Sequence, residues 1–562
     1  MPLLILALAA SGFLIVFLTW EFTFLQDTWE YLMSRREITL DNVLRPHNEH
    51  IVAIPVMIEQ LQLRIFGMED ARPEYVLLAT LLPATACFLF AYMRRRVGAW
   101  VALFATTIVL FYGPAWETLL WPFEICFVGS VLFGIAMLLS LERDDRLGSI
   151  LGCICLVVSI GFSSLGIAFM AGAFASWLTG SRRLSLDRAF VFLVPAALYG
   201  AWYLGWGHEA PSHLSATNVL ESPLFVAEGL AFTLASLVGL GPNPIAGDAA
   251  AIVGGVLLVA LTAALVLLWR RRPGVDAVVW PIAAVSAAYW FLAAFNRTPD
   301  RLPTASRYQY AGAILLLMLL AALLQRQRIG ARALWAGAAV TLVAIGLNLP
   351  PLKDGQATLA NTSALTRADT AAIEIARDTV APEFQLTPEV AGTPTLVDIA
   401  AGTYLTATEE YGSPAYSQRE LAKAAPVARH QADVVLAAAL PVTVKPAATA
   451  SSPGAACVRL RAGDKPEVRL PLGGARIELA LGRQGTLFLR RFGSPDEEGV
   501  GVARIVGGAT AILRIPRDRS PRPWKMRLEA AQAASVCPLT ERRRADLNGK
   551  PLQGLAHSLA SG

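Results

Sequence analysis

Apolar runs recur through the first 350 residues, near 2–19, 75–92, 98–113, 125–141, 149–163, 165–180, 189–206, 250–270, 277–295, 308–324 and 332–349. An α-helix needs roughly 20 residues to cross a hydrocarbon core, so the pattern predicts about eleven spanning helices, the shorter runs accommodated by tilt. A further apolar stretch, Pro223–Leu240, is surplus to that set and reads as a re-entrant or interfacial helix. The first run lacks a basic leader and is long for a signal peptide, so an uncleaved span is expected. Beyond Leu349 the pattern changes. Asn348–Leu349–Pro350–Pro351 reads as a helix stop, and an ordinary soluble pattern follows.

In that second part, Thr395–Ile399 is strand-like and Gln418–Leu440 helical, and a Pro/Ala/Ser/Gly linker covers 445–456. Glu467–Leu472, Ala475–Leu481, Gly485–Arg490 and Ala511–Ile515 alternate as strands between glycine turns, which predicts a small β-sandwich. The expected fold is a polytopic α-helical membrane protein over 1–350, a mixed α/β segment over 351–444, a β-sandwich-like domain over 457–540 and a flexible tail over 541–562.

Composition supports lipid as the solvent: 55% of residues are hydrophobic, 16% are charged, and the mean hydropathy is +0.49. Soluble domains carry about 25% charged residues. The net charge of +5 does not point to nucleic acid, because the arginines cluster at the ends of runs. Arg94–Arg96, Arg143 with Arg146, Arg182–Arg183, Arg270–Arg272, and Arg326 with Arg328 follow alternate runs. Positively charged loops stay cytoplasmic, so these all lie on one side. Between Arg146 and Arg182 the chain must then cross an even number of times, and Ser149–Gly180 reads as two short spans turning at Gly161–Ser164. The loops at 20–73, 113–124, 207–249 and 296–307, and everything after Leu349, are expected to face the extracytoplasmic side of the membrane. Cys87, Cys126, Cys153 and Cys155 fall in apolar runs as small hydrophobes, whereas Cys457 and Cys537 are placed to pair in an oxidising compartment.

The expected outer loops hold the candidate chemistry. Gln26–Glu30 follows the first run directly, and Arg45–His50 precedes an amphipathic stretch in which Ile51, Ile54, Ile58, Leu61 and Ile65 repeat at helical spacing opposite Glu59, Gln60, Gln62 and Arg64. Two helices lying along the membrane surface are predicted. Asp27 and Glu30 admit a capping reading, with Asp27 as N-cap and Glu30 reaching back, and a functional one. In the functional reading Asp27 is a general base at a membrane-embedded cavity, and Glu30, on the same helical face, joins it in catalysis or in holding a metal. His47, Asn48, Glu49 and His50 form a dense polar cluster whose imidazoles would lie close on a helix, although His-x-x-His is not a zincin motif. Trp116, Glu117, Trp121 and Glu124 read as interface anchors or as a sugar-stacking platform. Arg297, Arg301 and Arg307, with Tyr308, sit on the side opposite to the topology arginines and so read as anion ligands. His208, Glu209 and His213 have no evident partner. Gly499–Arg504 lacks the third glycine of a dinucleotide fingerprint.

An acidic first outer loop, with Asp27 just after span one, over a bundle of many spans, resembles the GT-C glycosyltransferases, membrane enzymes that use polyprenyl-phosphate sugars. The run from Gln26 to Trp29 and then Pro46–His50 also resembles a group of bacterial membrane proteins with His-Asn-Glu-His-Arg in this loop; here Ile51 replaces the arginine and Thr28 stands where a second acid is common. The resemblance implies an inverting transfer to a cell-envelope glycan or lipid acceptor, Asp27 as base, arginines on the lipid phosphate, room for a divalent cation (Mg or Mn), and an outer carbohydrate-binding tail. Two rivals remain at the sequence level: a lipid or glycan transporter or flippase, and a non-catalytic envelope-glycan assembly protein. Coupled transport favours ionisable groups inside spans, which are scarce here.

Overall fold

The computed structural model describes residues 1–180, 184–241, 249–271, 275–299, 301–325, 327, 329–391, 395, 396, 399–447, 457–460, 467–470, 473–479, 484–494, 496, 499–506, 510–530 and 534–538. Arg182, Arg183, Arg272, Arg326 and Arg328 of the charge pattern, positions 448–456 of the linker and the 541–562 tail lie outside the described residues. The chain divides into two compact units, Met1–Asn361 and Thr362–Gly562.

The first unit is helical. In chain order its helices are α1 (Pro2–Thr19), α2 (Thr28–Ser34), α3 (Leu40–Leu44), α4 (Ala53–Phe66), α5 (Arg72–Val97), α6 (Ala99–Leu110), α7 (Trp116–Leu120) and α8 (Ile125–Leu141). There follow α9 (Arg146–Phe162), α10 (Gly166–Thr179), α11 (Leu186–Gly205), α12 (Ala216–Leu237), α13 (Ala249–Arg271), α14 (Val279–Phe295), α15 (Ser306–Leu324) and α16 (Ala331–Ile375), whose residues from Thr362 on belong to the second unit. Each apolar run read from the sequence overlaps one of these. Among the described residues eight helices are long and apolar enough to cross a membrane, nine if the bent stretch through α6 and α7 is one span; α9, α10 and α14 are shorter apolar helices. The chain is a multi-pass membrane protein. The span containing α8 is buried over 78% of its apolar window and α13 over only 11%, so α8 is central and α13 presents its surface to lipid.

At one end of the bundle arginines tie helices together. Arg95 and Arg96 of α5 both reach Glu142 beyond α8, and Arg188 of α11 donates to the Leu141 carbonyl at 2.7 Å and to Asp144 at 3.2 Å. The opposite end carries the 20–73 loop. The surplus run became α12, a 22-residue helix apolar enough to cross by composition. Its contacts say otherwise. At its start Asn218 donates to the Phe295 and Arg297 carbonyls, further along Thr233 donates to Gln309, and at its end the Ser236 carbonyl accepts from Asn348. Those partners belong to the loop-bearing ends of α14, α15 and α16, so α12 runs across that end, as a re-entrant or interfacial element does.

The loop forms three helices rather than two, and in α4 Glu59 and Gln60 are buried while Met57, Leu61, Ile65 and Phe66 are exposed. The solvent for this helix is lipid on one side, so its polar face turns inward to find partners; Gln60 donates to the Arg35 and Glu37 carbonyls. The expected stop at Pro350–Pro351 is also overridden, because α16 continues through both prolines. Proline in a helix interior costs about 3 kcal/mol. Here the flanking residues are held from outside: Asn348 is tied to Ser236, and Gly113 lies directly on the Asn348 backbone.

The second unit contains α17 (Pro388–Ala391), α18 (Ala401–Tyr411), α19 (Gln418–Leu421) and α20 (Pro426–Ala439). The single helix expected over Gln418–Leu440 is thus two, since Pro426 starts α20 at its first turn, where its missing N–H costs nothing. Thr395 and Leu396 are in bends rather than a strand, and Val397 and Asp398 lie outside the described residues. Among the described residues nine strands follow: β1 (Thr443–Ala447), β2 (Val458–Leu460), β3 (Glu467–Arg469), β4 (Gly474–Leu479), β5 (Gln484–Arg490), β6 (Val500–Val506), β7 (Thr510–Arg514), β8 (Lys525–Ala530) and β9 (Ala534–Pro538). They form sheets ordered β1-β7-β4-β9-β2 and β3-β8-β5-β6. Ala475 and Ile477, Ala511 and Leu513, Leu487 and Leu489, and Met526 and Leu528 are buried at every second position, the pattern of a two-sheet core. Pairing of Val458 with Val536 sets Cys457 beside Cys537, and the two form a disulfide.

Gly113 yields a packing prediction. A Cβ there would sit 1.9 Å from the Asn348 carbonyl oxygen, which is backbone and cannot swing aside. Gly113→Ala is expected to lose about 1–3 kcal/mol, read as a lower thermal midpoint in detergent; an unchanged midpoint would show that this approach is not structural.

Candidate active site

Where α1 ends, Trp29 packs edge-on against Phe24 and donates to its carbonyl at 3.1 Å, which anchors α2. Asp27 occupies the N-cap position without making the capping hydrogen bond, so its carboxylate remains available. Glu30, three residues on, meets the same imidazole as Asp27, but both of its oxygens are engaged. One of its oxygens takes Arg35 Nε at 3.0 Å and Nη2 at 2.6 Å, and the other takes His47 Nδ1 at 2.6 Å. Arg35 is 1% exposed and also donates to the Arg45 carbonyl at 2.6 Å and the Pro46 carbonyl at 2.7 Å. It therefore fixes the backbone immediately before His47.

The His47–His50 cluster is a hairpin turn rather than helix. His47 and His50 exchange backbone hydrogen bonds of 3.0 Å, and Asn48 takes φ 49°, a left-handed conformation that asparagine tolerates. The two rings then meet different surroundings. His47 lies between Glu30 and Asp27, its Nε2 3.4 Å from the Asp27 carboxylate. Burial opposes the charged imidazole, but hydrogen bonds and charge from Asp27 and Glu30 overcome it and lift the pKa to about 9. Burial likewise opposes the Glu30 anion, yet His47 and Arg35 hold its pKa down to about 2. His50 is pushed down to about 4, chiefly by burial, with the charges of His47 and Arg301 adding to it against Glu49. At neutral pH His47 is a cation and His50 a neutral ring.

These groups line a cavity of about 220 Å³ at the loop-bearing end of the bundle. Of the sequence candidates, Asp27, His47, Asn48, Glu49, His50, Trp121, Glu124, Arg301, Arg307 and Tyr308 line it. Glu30 stands behind His47. Glu117 accepts the Arg307 backbone N–H at 2.9 Å while its own N–H donates to Ser306, so it caps α15 and sets Arg307 in place. Trp116 packs against Gly355. Arg297 pairs with Glu221 at a more exposed position and does not line the cavity. Arg301 pairs with Glu49, and Arg307 keeps only a 3.9 Å contact to Glu117. Among the described residues five buried polar atoms of the cavity wall have no hydrogen-bond partner: His47 Nε2, which has only its 3.4 Å ion-pair contact to Asp27, Glu49 Oε2, His50 Nδ1, Trp121 Nε1 and Arg307 Nε. Unsatisfied buried groups are costly, so their gathering around one void marks it as built for a polar ligand.

The linear pattern does not single out Arg35, Tyr199 or Tyr289, and it gives Ser164 only as part of a turn between two spans. Ser164 in fact accepts the Ile51 N–H at 3.1 Å and donates to the Glu49 carbonyl, holding the hairpin from below. Tyr199 and Tyr289 sit inside apolar runs, where nothing in a linear pattern distinguishes a cavity wall from a lipid-facing ring. Arg35 had no signal either, being one arginine among several in the loop.

A divalent ion does not fit the Asp27–Glu30 pair. Both Glu30 oxygens are taken by cations, which leaves Asp27 as a single ligand, and among the described residues there is no group of three or more His, Cys, Asp or Glu able to hold a metal.

No protein-family model matches the sequence, and no curated protein matches it. Among solved structures the chain is similar to ArnT from Cupriavidus metallidurans bound to undecaprenyl phosphate, at 13% identity over 72% of this chain and 84% of that one, with a TM-score of 0.43. The apo state of the same protein gives 14% identity, the same coverage and a TM-score of 0.44. The chain is also similar to the arabinosyltransferase EmbB from Mycobacterium smegmatis, at 11% identity over 96% of this chain and 64% of that one, with a TM-score of 0.31.

The His47 bridge makes a pH prediction with a definite sign. A raised histidine pKa gives stabilisation that is complete below the free value of 6.5 and lost as pH rises through about 9. The Glu30 contribution, from a depressed pKa, is lost only as pH falls from 4.5 through about 2. Hydrogen exchange across 27–50, corrected for intrinsic rates, should show weaker protection at pH 10 than at pH 6. Equal corrected protection would mean that His47 does not hold the loop by charge.

Proposed function

We propose that this protein is an inverting membrane glycosyltransferase of the GT-C kind, moving a sugar from a polyprenyl-phosphate donor to a cell-envelope acceptor on the extracytoplasmic face of a bacterial plasma membrane. The observation that carries the reading is the cavity itself. An uncapped carboxylate, a charged histidine and a loosely committed arginine converge there with unpartnered buried polar atoms, beside apolar walls at the loop-bearing end of the bundle. A lipid-linked sugar phosphate needs that combination: hydroxyl partners, a cation for phosphate, and an apolar flank for the chain.

In this mechanism the acceptor hydroxyl attacks the anomeric carbon as its bond to the phosphate oxygen breaks. Asp27 takes the hydroxyl proton, and the polyprenyl phosphate leaves with the bonding electrons. Arg307, with Arg301, stabilises the leaving phosphate. His50, Trp121 and Glu49 bind sugar hydroxyls. Glu30, foreseen as catalytic, acts at one remove by positioning His47, which in turn orients Asp27. No step requires a metal at Asp27.

The test uses the full-length protein in lipid nanodiscs with a panel of polyprenyl-phosphate sugars, measuring sugar transfer and release of polyprenyl phosphate. Asp27→Asn is expected to lower turnover roughly 10²–10⁴-fold while donor binding persists. Unchanged turnover would remove Asp27 from the base role. A transporter or scaffold would move or bind the donor without cleaving it, whether Asp27 is present or not.

A further inference from the structure

Arg301 lines the cavity, yet its charge is already answered. It pairs with Glu49 across the opening between the 47–50 hairpin and the loop joining α14 to α15, and both side chains are largely buried, at 15% and 16% exposure. Each partner is held from its own side. Ser164 fixes the hairpin through the Ile51 amide and the Glu49 carbonyl. Asn218 of α12 fixes the other loop through the Phe295 and Arg297 carbonyls, and Arg301 itself also reaches the Asn296 carbonyl at 3.4 Å. The ion pair thus joins two separately anchored loops. It is also incomplete, because the second Glu49 oxygen is buried without a hydrogen-bond partner. A fork-shaped guanidinium can hold a carboxylate or a phosphate, but one oxygen of a monodentate carboxylate leaves much of its capacity unused.

We propose that Glu49 is an internal placeholder for the anionic group of the ligand, latching the cavity through Arg301 until an incoming phosphate displaces it. The proposal rests on the glycosyltransferase reading only for the identity of that anion. When phosphate takes Arg301, the freed Glu49 carboxylate stays beside His50 and turns to the hydroxyls of the same ligand, so one exchange opens the site and supplies a polar contact. Ligand must compete with the latch, so affinity is reduced by the fraction of molecules that are unlatched.

The probe is farnesyl phosphate, a short polyprenyl phosphate, titrated by microscale thermophoresis against the full-length protein in detergent at fixed ionic strength, with farnesol as the uncharged control. Glu49→Gln should tighten farnesyl phosphate binding about five- to tenfold. Arg301→Gln should weaken it, and the double variant should show no gain over Arg301→Gln alone. Farnesol binding should not respond. Glu49→Asp, which keeps the charge one methylene short of contact, should also tighten binding; this separates release of a latch from mere loss of a negative charge and serves if Glu49→Gln does not fold. Unchanged or weaker binding in both Glu49 variants would overturn the latch, as would a gain that survives without Arg301 or the absence of binding by every variant. Latch behaviour with no sugar transfer from any donor would overturn the glycosyltransferase reading and leave the latch standing.

Discussion

A guanidinium with 1% of its surface exposed must have its charge and its donors answered inside the protein, and Arg35 is in that position. The Glu30 carboxylate and the carbonyls of Arg45 and Pro46 supply the answers, and the Tyr31 ring flanks its charge. Taking charges out of water costs several kcal/mol per ion, which is recovered only when geometry is good and remaining donors are met. That demand forces the chain at 45–46 back onto α2. The return of the chain places His47 against Glu30, and the hairpin then places Asn48, Glu49 and His50 around the cavity. Removing one partner of a fully buried pair typically costs about 3–5 kcal/mol; Glu30 keeps 38% of its side chain exposed, so the loss here is smaller, but it falls on the one group that answers the Arg35 charge.

The same demand explains why the two histidines of one turn behave oppositely. His47 sits between two carboxylates and is cationic; His50, three residues away, is half-buried near Arg301 and an aromatic ring and is neutral. Chemically the turn provides a fixed donor and a neutral hydrogen-bonding ring in the space of one hairpin. Around them, the stacked Trp121 and Phe123 rings and the Tyr31 ring keep water out, which strengthens each charge–charge contact.

Lipid imposes a second constraint on the scaffold. Buried polar atoms must find partners within protein, so α4 turns Glu59 and Gln60 inward beside Val56 and Leu63 and leaves Met57, Leu61, Ile65 and Phe66 outside. α12 obeys the same rule, lying across the loop-bearing ends of α14, α15 and α16 with Asn218 and Thr233 bonded into them. An amphipathic repeat tells which residues share a face of a helix, but in a membrane it does not tell which face is inside.

By itself the sequence determined the helical bundle, the gathering of candidate residues at one end of it and the strand-rich second unit, because long apolar runs, arginine placement and two-residue alternation are local signals with few physical solutions. It also pointed to Asp27, His47, His50 and Arg307. Only the tertiary structure decided that Glu30 belongs to Arg35 and His47, that His47–His50 is a turn, that Arg297 lies away from the cavity, and that α16 continues through Pro350 and Pro351. In each case the outcome was set by a partner far along the chain or by a buried charge needing an answer. Spacing along one strand of sequence cannot carry that information.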